Sequence, residues 1–256
     1  MSVKGVSYSE AAAPAGVRLY AIGDVHGRAD LLQAMLARIE AELAIDRPAD
    51  WRIILLGDYV DRGMDSRGVI DELLNRQRRD EHFIMLAGNH DTGFLGFLEK
   101  PDPKGLFMQF GGIQTAQSYG VTLKRPYRHG IEEGDRGFLE TSAQLQQAVP
   151  PEHIEFLRTL PRGCLAGDFF FCHAGVRPGV PLDKQDPEDL IWIRNDFLLY
   201  AELHPKVIVH GHTPVGQPDI RDNRVNIDTH AYETGILTAL VVDGTQKRFL
   251  TIGNGF

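Results

Sequence analysis

Three short motifs carry side chains that could bind metal ions. Gly23–Gly27 reads GDVHG, Gly57–Gly63 reads GDYVDRG and Gly88–Asp91 reads GNHD. Carboxylate and amide oxygens mixed with imidazole nitrogens, without thiolates, fit Mn²⁺, Fe or Zn²⁺ in a two-ion site better than a structural zinc site. Two such ions can clamp the attacking and leaving oxygens of an in-line displacement at phosphorus. The motifs therefore point to phosphoester hydrolysis.

Each of these motifs directly follows a predicted strand. Val17–Ile22, Trp51–Leu56 and Phe83–Ala87 are apolar runs that stop at the first glycine of a motif. In open α/β sheets the carboxyl ends of neighbouring strands face one crevice, so we expect the motif side chains to converge there. Two later runs, Asp168–Cys172 and Pro205–Val209, lead in the same way to further histidines, which are His173 and those of the sequence HGHT at 210–213.

The remaining pattern predicts one α/β domain over residues 17–256, after a loose leader over residues 1–16. Apolar spacing predicts helices over 30–45 and 66–79, which gives a partly parallel sheet with right-handed crossovers. Residues 92–161 lose strand signals and predict a helical insertion beside the site. Further predicted elements are a helix over 187–203 and strands over 224–227, 236–242 and 248–251.

Composition limits the function classes. A chain of 256 residues with 43% hydrophobic residues fits one sizeable domain, and the net charge of -8 argues against a general nucleic-acid binder. No secretory signal and no apolar run long enough for a membrane span is present, so we expect a cytoplasmic protein with no membrane partner. Cys164 and Cys172 are expected to be ordinary buried residues. The sequence contains no heptad pattern or other signal of an interface between chains, so we expect a monomer.

Taken together, GDVHG, GDYVDRG and GNHD, followed by His173 and His212, closely resemble the phosphoprotein phosphatase family of calcineurin-like metallophosphoesterases, with a bacterial or phage-like size. The resemblance covers the chain from about residue 17 onward. It implies a fold of two mixed β-sheets packed together and flanked by helices, with a dinuclear metal site at the carboxyl ends of the central strands.

The resemblance also implies a role for each motif residue. Asp24 and His26 would bind the first ion, and Asp58 would bridge the two ions, with Mn²⁺ expected and Fe or Zn²⁺ as alternatives. The ligands implied for the second ion are Asn89, His173 and His212. His210 is left out of the ligand set.

His90 and Asp61 resemble the catalytic dyad of the family. His90 would protonate the leaving alkoxide, because a carboxylate hydrogen-bonded to the other imidazole nitrogen orients the ring and favours its charged form. Arg62 and Arg194 are the candidates for gripping the phosphate, since a guanidinium matches two phosphoryl oxygens. His230 stands where related bacterial sequences usually have Gly, and we expect it to lie behind the metal ligands or on the surface without binding the metals.

These residues favour a serine/threonine protein phosphatase that acts on a phosphorylated protein or peptide by direct attack of a metal-bridging hydroxide. One alternative is a symmetrical dinucleoside-tetraphosphate hydrolase, although those relatives typically carry Ala where this chain has Asp61. Another is a phosphatase of small phosphoesters. An inactive phosphate-binding scaffold is disfavoured, because every expected ligand and both dyad members are present.

Overall fold

A computed structural model describes residues 5–125 and 132–253, and the described residues form ten strands and ten α-helices. The strands are β1 Val17–Ile22, β2 Asp50–Leu55, β3 Phe83–Met85, β4 Gly163–Ala166, β5 Phe169–Cys172, β6 Val207–His210, β7 Asp219–Ile220, β8 Arg224–Asn226, β9 Leu237–Asp243 and β10 Gln246–Ile252. The helices are α1 Ala29–Asp46, α2 Ser66–Arg79, α3 Asn89–Glu99, α4 Leu106–Gln109, α5 Gly112–Ser118, α6 Glu132–Ala148, α7 Pro151–Thr159, α8 Asp189–Trp192, α9 Asn195–Leu198 and α10 Ala231–Thr234.

The strands form two five-stranded mixed sheets, as predicted. The first has the order β10-β9-β1-β2-β3 and the second the order β4-β5-β6-β8-β7. In the first sheet β1, β2 and β3 run parallel, with α1 and α2 as the crossovers predicted from the sequence. In the second sheet β5, β6 and β8 run parallel. Five of these six strands, all except β8, bring their carboxyl ends to the edges of the two sheets where the predicted ligands lie.

The alternation of side chains along the strands builds the core in layers. Leu19 and Ala21 of β1 pack between the two sheets, whereas Tyr20 and Ile22 pack against the helices on the other face. Phe169 of β5 meets the first sheet in the same inner layer. Successive strand side chains point to opposite faces, so strands buried on both faces are apolar throughout. The site loops are thus mounted on a rigid double sheet.

Cys164 and Cys172 are both free. Cys164 lies opposite Phe171 in the antiparallel pair of β4 and β5, so Cys172, the next residue after Phe171, points to the other face of the sheet. Burial raises the pKa of the Cys164 thiol to about 12. Cys172 is fully buried, as predicted, whereas Cys164 is only partly buried.

Residues 5–16 differ from the loose leader that the sequence predicted. Ala11 is fully buried and packs in the layer between the sheets. The backbone N–H of Asp168 donates to the carbonyl of Ala12 at 2.9 Å, which ties the segment to the second sheet. The sequence did not predict this packing, because the segment consists largely of small residues held by backbone hydrogen bonds and therefore shows no apolar periodicity.

The prediction of one helix over residues 187–203 is also wrong. The described chain forms only α8 and α9 there, separated at Ile193 and Arg194. Arg194 has φ of -132°, outside the helical range, and this break directs the chain past the site pocket. Strands β4 and β7 were not predicted.

The predicted insertion is helical in the part of residues 92–161 that the structure describes, where most of α3 and all of α4 to α7 lie. Among the helices of the described residues, none combines the length and apolarity that crossing a membrane requires.

His204 provides a test of the packing behind β6. Its ring is 4% exposed and lies beside the rings of Phe197 and Tyr200, with centroid distances of 5.7 and 5.0 Å. Burial lowers the pKa of His204 to about 4. Because an unfolded histidine has a pKa near 6.5, its contribution to stability is complete above that pH and is lost as the pH falls toward 4.

We therefore expect His204→Phe, which keeps the aromatic packing, to reduce the pH dependence of folding. Between pH 7.5 and pH 5 the free energy of unfolding of the wild type should fall by about 1–2 kcal/mol more than that of the variant. Urea titrations at the two pH values would measure this. Equal losses in both proteins would show that His204 takes up its proton as readily in the folded state as in the unfolded state.

Candidate active site

The structure brings the predicted ligands together at the carboxyl ends of the parallel strands. They follow β1, β2, β3, β5 and β6, and none is more than 6% exposed. They are Asp24, His26, Asp58, Asn89, His173 and His212. A pocket of about 120 Å³ opens onto this cluster and is also lined by Arg62, His90 and Arg194. All ten residues predicted for catalysis or metal binding therefore lie in or beside one site, since Asp61 contacts His90 directly.

Asp58 lies at the centre of this cluster. Its Oδ2 atom is 3.4 Å from Nε2 of His26 and 3.4 Å from Nε2 of His173. Its Oδ1 atom accepts the backbone N–H of His90 at 2.9 Å. Candidate metal-binding groups share this residue, since Asp58 occurs both with His26 and His90 and with Asp24 and His173. One carboxylate thus reaches both halves of the site, as a bridging ligand must.

The two histidines beside Asp58 present lone pairs to it rather than protons. Nδ1 of His26 lies 2.8 Å from the carbonyl of Val60, and Nδ1 of His173 lies 3.0 Å from the carbonyl of Leu56, so each Nδ1 carries a proton and donates it. Burial lowers the pKa of both, that of His26 to about 3, so the rings are neutral. Each Nε2 is therefore an acceptor that faces a carboxylate oxygen.

The other half of the site contains a further pair of acceptors. Oδ1 of Asn89 lies 2.9 Å from Nε2 of His173, and the same oxygen lies 2.9 Å from Nδ1 of His212. Nε2 of His212 and Oδ1 of Asp24 are buried and have no hydrogen-bond partner among the described residues. Acceptors packed against acceptors are unfavourable unless a cation lies between them. The residues present therefore fit divalent metal ions.

A third carboxylate adds to the negative charge. Asp228 is 3% exposed and lines the same pocket, and one of its oxygens accepts the backbone N–H of His230 at 2.9 Å. Burial and the nearby charges of Asp228 and Asp58 raise the pKa of Asp24 well above its usual range. The carboxylates of Asp24, Asp58 and Asp228 outnumber the two guanidinium groups that line the pocket, which favours occupancy by metal ions.

Two glycines allow the backbones to approach the carboxylates. A Cβ atom on Gly88 would collide with the side chain of Asp58, and one on Gly211 would collide with that of Asp24. The ligand loops are also strained, because Asp58 and His212 have φ of 54° and 66°, in the left-handed region that glycine prefers. The glycines of the motifs thus serve close packing around the ligands.

Asp91 organises two of the ligand loops. Its carboxylate accepts the backbone N–H groups of Asp58, Tyr59 and Gly88 at 2.8 to 2.9 Å, and the residue is fully buried. The carboxylate therefore joins the loop after β2 to the start of α3.

His90 and Asp61 form the predicted pair. Nδ1 of His90 lies 2.7 Å from Oδ2 of Asp61, and Asp61 is fully buried. Burial by itself would lower the pKa of His90, but the charges of Asp58 and Asp61 outweigh this and raise it. Thr115 of α5 donates its hydroxyl to Oδ1 of Asp61 at 2.8 Å. The insertion thus helps to hold Asp61, a role for Thr115 that no local sequence signal indicated.

Tyr232 is a second residue that the sequence reasoning missed. Its hydroxyl accepts Nη1–H of Arg62 at 2.7 Å, and its ring lies 4.6 Å from the guanidinium carbon. Nη2 of Arg62 lies 3.3 Å from Nε2 of His90. The hydrogen bond and the cation–π contact together direct the guanidinium at the point that His90 also faces. No local signal in the sequence marked Tyr232, because its partner Arg62 lies 170 residues away in the chain.

Arg194, His210 and His230 lie at different distances from the metal ligands. Arg194 is exposed, lines the pocket, and its Nη1 lies 3.4 Å from Oγ1 of Thr213. His210 is fully buried and packs edge-on against Phe197, away from the ligands. His230 contacts the hydroxyl of Tyr232 through Nε2 at 2.5 Å. His230 therefore supports Tyr232 rather than facing the metal ligands.

A double sheet with this buried set of carboxylate, amide and imidazole groups defines a metallophosphoesterase, the class of hydrolase with a dinuclear divalent metal site. The chain belongs to the calcineurin-like phosphoesterase family, whose sequence profile matches residues 17–241. This confirms the fold and the superfamily predicted from the motifs.

The chain is similar to several described proteins. A relative from Anoxybacillus flavithermus, named bis(5'-nucleosyl)-tetraphosphatase PrpE [asymmetrical], is 25% identical over 245 residues, which is 86% of this chain and 88% of the relative. A crystal structure of a candidate diadenosine tetraphosphatase has a TM-score of 0.63 at 19% identity, covering 96% of this chain and 100% of the other. A protein serine/threonine phosphatase from Saccharomyces cerevisiae has a TM-score of 0.53 at 13% identity, covering 94% and 81%. These two structural likenesses show the fold.

Replacing Asp58 by Asn should remove metal from both halves of the site, because the negative charge that the two ions would share is lost. After incubation with Mn²⁺ and gel filtration, elemental analysis should find about two ions per wild-type chain and fewer than about one per variant chain. Asp61→Asn is the matched control, since Asp61 is a buried carboxylate of the same motif that faces His90 instead. Two ions retained by Asp58→Asn would contradict the bridging role.

Replacing Tyr232 by Phe should lower kcat/KM by about 3- to 10-fold, because the loss of one hydrogen bond costs about 1 kcal/mol. The ring and its contact with the guanidinium remain, so the loss reports the hydroxyl alone. Steady-state kinetics with p-nitrophenyl phosphate would measure it. In an Arg62→Ala background the same substitution should cause no further loss, whereas an additive loss would show that Tyr232 does not act through Arg62.

Proposed function

We propose that this protein hydrolyses phosphomonoesters with an alkoxide leaving group, the class that includes phosphoserine and phosphothreonine. The observation that carries this proposal is the buried pair of His90 and Asp61, with its distance of 2.7 Å. An alkoxide is a poor leaving group and needs a positioned proton donor. With Asp61 on Nδ1, His90 turns Nε2 toward the pocket, where it can give a proton to the leaving oxygen.

The chain's own residues bind and orient the phosphoryl group in this proposal. Arg62 and Arg194 line the same pocket as His90. Each guanidinium can donate to two phosphoryl oxygens and stabilise the charge that develops on them. When bound by the ligand set described above, two divalent ions, for which we propose Mn²⁺, supply activation of water and further charge neutralisation.

Hydrolysis of a bis(5'-nucleosyl) tetraphosphate is a second candidate. It is favoured by the names of relatives that match 86 to 91% of this chain at 23 to 25% identity. Those names specify asymmetrical cleavage, whereas the sequence alone suggested the symmetrical alternative. A phosphate leaving group needs less help from a proton donor than an alkoxide does, so Asp61 is compatible with this reaction without being required for it.

A comparison of two substrates separates the candidates. A phosphoserine peptide and diadenosine tetraphosphate would be assayed side by side with the Mn²⁺-loaded protein. A higher kcat/KM for the peptide supports the phosphomonoesterase proposal. A higher kcat/KM for the dinucleotide overturns it in favour of the second candidate.

Replacing His90 by Asn should lower kcat by about 10²- to 10⁴-fold for a phosphoserine peptide, because the alkoxide then leaves without a proton. The loss for p-nitrophenyl phosphate should be much smaller, since nitrophenolate is a good leaving group. Metal content should be unchanged. Steady-state kinetics and elemental analysis on the same preparation would measure these three quantities.

Asp61→Asn serves as the companion variant. It should show the same dependence on the leaving group with a smaller loss, because Asp61 acts through the orientation and charge of the imidazole. A His90→Asn variant that loses equal activity toward both substrates would contradict the role of His90 as the proton donor.

A further inference from the structure

Arg194 is held in the active site less firmly than Arg62, although both line the pocket. The guanidinium of Arg62 donates to the hydroxyl of Tyr232 at 2.7 Å and lies against its ring. Arg194 is exposed, and its one side-chain hydrogen bond within the described residues reaches Oγ1 of Thr213 at 3.4 Å. The position of its guanidinium therefore depends on the backbone that carries it.

That backbone is the break between α8 and α9. Each of these helices has four residues, too few for a helix that is stable by itself. Ile193 beside the break is 7% exposed and Phe197 of α9 is fully buried, and both pack in an apolar cluster with Ile208 of β6. Apolar packing holds the two helices to the sheet, but it is non-directional and leaves the angle between them to other contacts.

Arg177 bridges the break with one guanidinium. Its Nε–H and Nη2–H groups donate to the two carboxylate oxygens of Asp189 at 2.6 Å each. Its Nη1–H group donates to Oδ2 of Asp196 at 3.0 Å. Asp189 is the first residue of α8 and Asp196 the second residue of α9, so one rigid planar group joins the helices on either side of Arg194.

The loop that carries Arg177 also carries a predicted metal ligand. It begins with His173 directly after β5, four residues before Arg177. The backbone N–H of Ala174 donates to the carbonyl of Leu190 in α8 at 2.8 Å. Oε1 of Gln185 accepts the backbone N–H of Arg177 at 2.7 Å. The loop therefore sets the placement of both helices relative to the half of the site that contains His173.

We infer that Arg177 is a positioning residue that orients Arg194 toward a phosphoryl group in the pocket. The inference rests on the proposed phosphohydrolase function, in which Arg194 donates to phosphoryl oxygens. Ion pairs as exposed as those of Arg177 contribute little to folding stability, so we expect their effect in the geometry of the site. This effect extends to every phosphoester substrate, because the phosphoryl group is the part that all of them share.

Binding of inorganic phosphate tests the inference without requiring turnover. In calorimetric titrations of the Mn²⁺-loaded proteins, the Kd for phosphate should rise about tenfold in Arg194→Ala and about threefold or more in Arg177→Ala. The kcat/KM for p-nitrophenyl phosphate should fall in the same order. Arg248→Ala is the matched control, since the side chains of Arg177 and Arg248 are both 46% exposed and Arg248 pairs with Glu42 without lining the pocket. Its Kd should be that of the wild type.

Two further variants separate orientation from general charge. Loss of a positive charge near the site weakens anion binding, whereas loss of a negative charge strengthens it. Asp196→Asn removes a negative charge but also cuts the link to α9. We therefore expect it to weaken phosphate binding about threefold, in the same direction as Arg177→Ala. In an Arg194→Ala background, Arg177→Ala should cause no further loss.

Tighter phosphate binding by Asp196→Asn, or a further loss from Arg177→Ala when Arg194 is already absent, would reduce the effect to charge and overturn the inference. A wild-type Kd in Arg177→Ala beside a weakened one in Arg194→Ala would overturn it and leave the proposed function intact. A wild-type Kd in Arg194→Ala would remove the role of Arg194 and the inference with it.

If the wild type hydrolyses no phosphoester, the proposed function fails, and the phosphate titrations alone decide the role of Arg177. Weaker binding in Arg194→Ala, Arg177→Ala and Asp196→Asn, with Arg248→Ala unchanged, then supports the inference. Equal binding by all of these proteins, or no binding by the wild type, overturns it.

Discussion

The buried cluster of hydrogen-bond acceptors around Asp58 is the constraint on which the site depends. Oδ2 of Asp58 faces Nε2 of His26 and Nε2 of His173 at 3.4 Å. Nδ1 of each ring donates its proton to a backbone carbonyl, so Nε2 of each ring is unprotonated. Such an arrangement is repulsive by itself. The arrangement is maintained because the surrounding fold holds every member in place. A cation bound between the acceptors would remove their mutual repulsion, and this relief favours binding.

The rigid double sheet holds these acceptors together despite their repulsion. The parallel strands β1, β2, β3, β5 and β6 end beside the site, and their side chains pack on both faces, so the loops that follow them have little freedom. Asp58 and His212 adopt left-handed backbone conformations, each costing about 1–3 kcal/mol, and they persist only where the neighbouring structure determines them. The three hydrogen bonds from backbone N–H groups to Asp91 are part of that determination.

The sequence predicted the parts of the protein whose causes are local. Strand β1, helix α2 and the ligand loops have apolar periodicity or a glycine beside a ligand, and these signals lie within a few residues of the feature they predict. Thr115 and Tyr232 could not be found in this way, because each matters only through a partner 54 or 170 residues away in the chain. The break at Arg194 was missed because apolar spacing does not report one backbone angle.

The helical insertion contacts residues of the active site directly. Thr115 donates to Asp61, and the carbonyl of Gly111 accepts the backbone N–H of Arg62 at 3.1 Å. A chimaera that exchanged this insertion for that of a relative would therefore disturb the pair of His90 and Asp61 and the position of Arg62. Diversification of such enzymes by swapping whole segments is limited to replacements that preserve those two anchoring contacts.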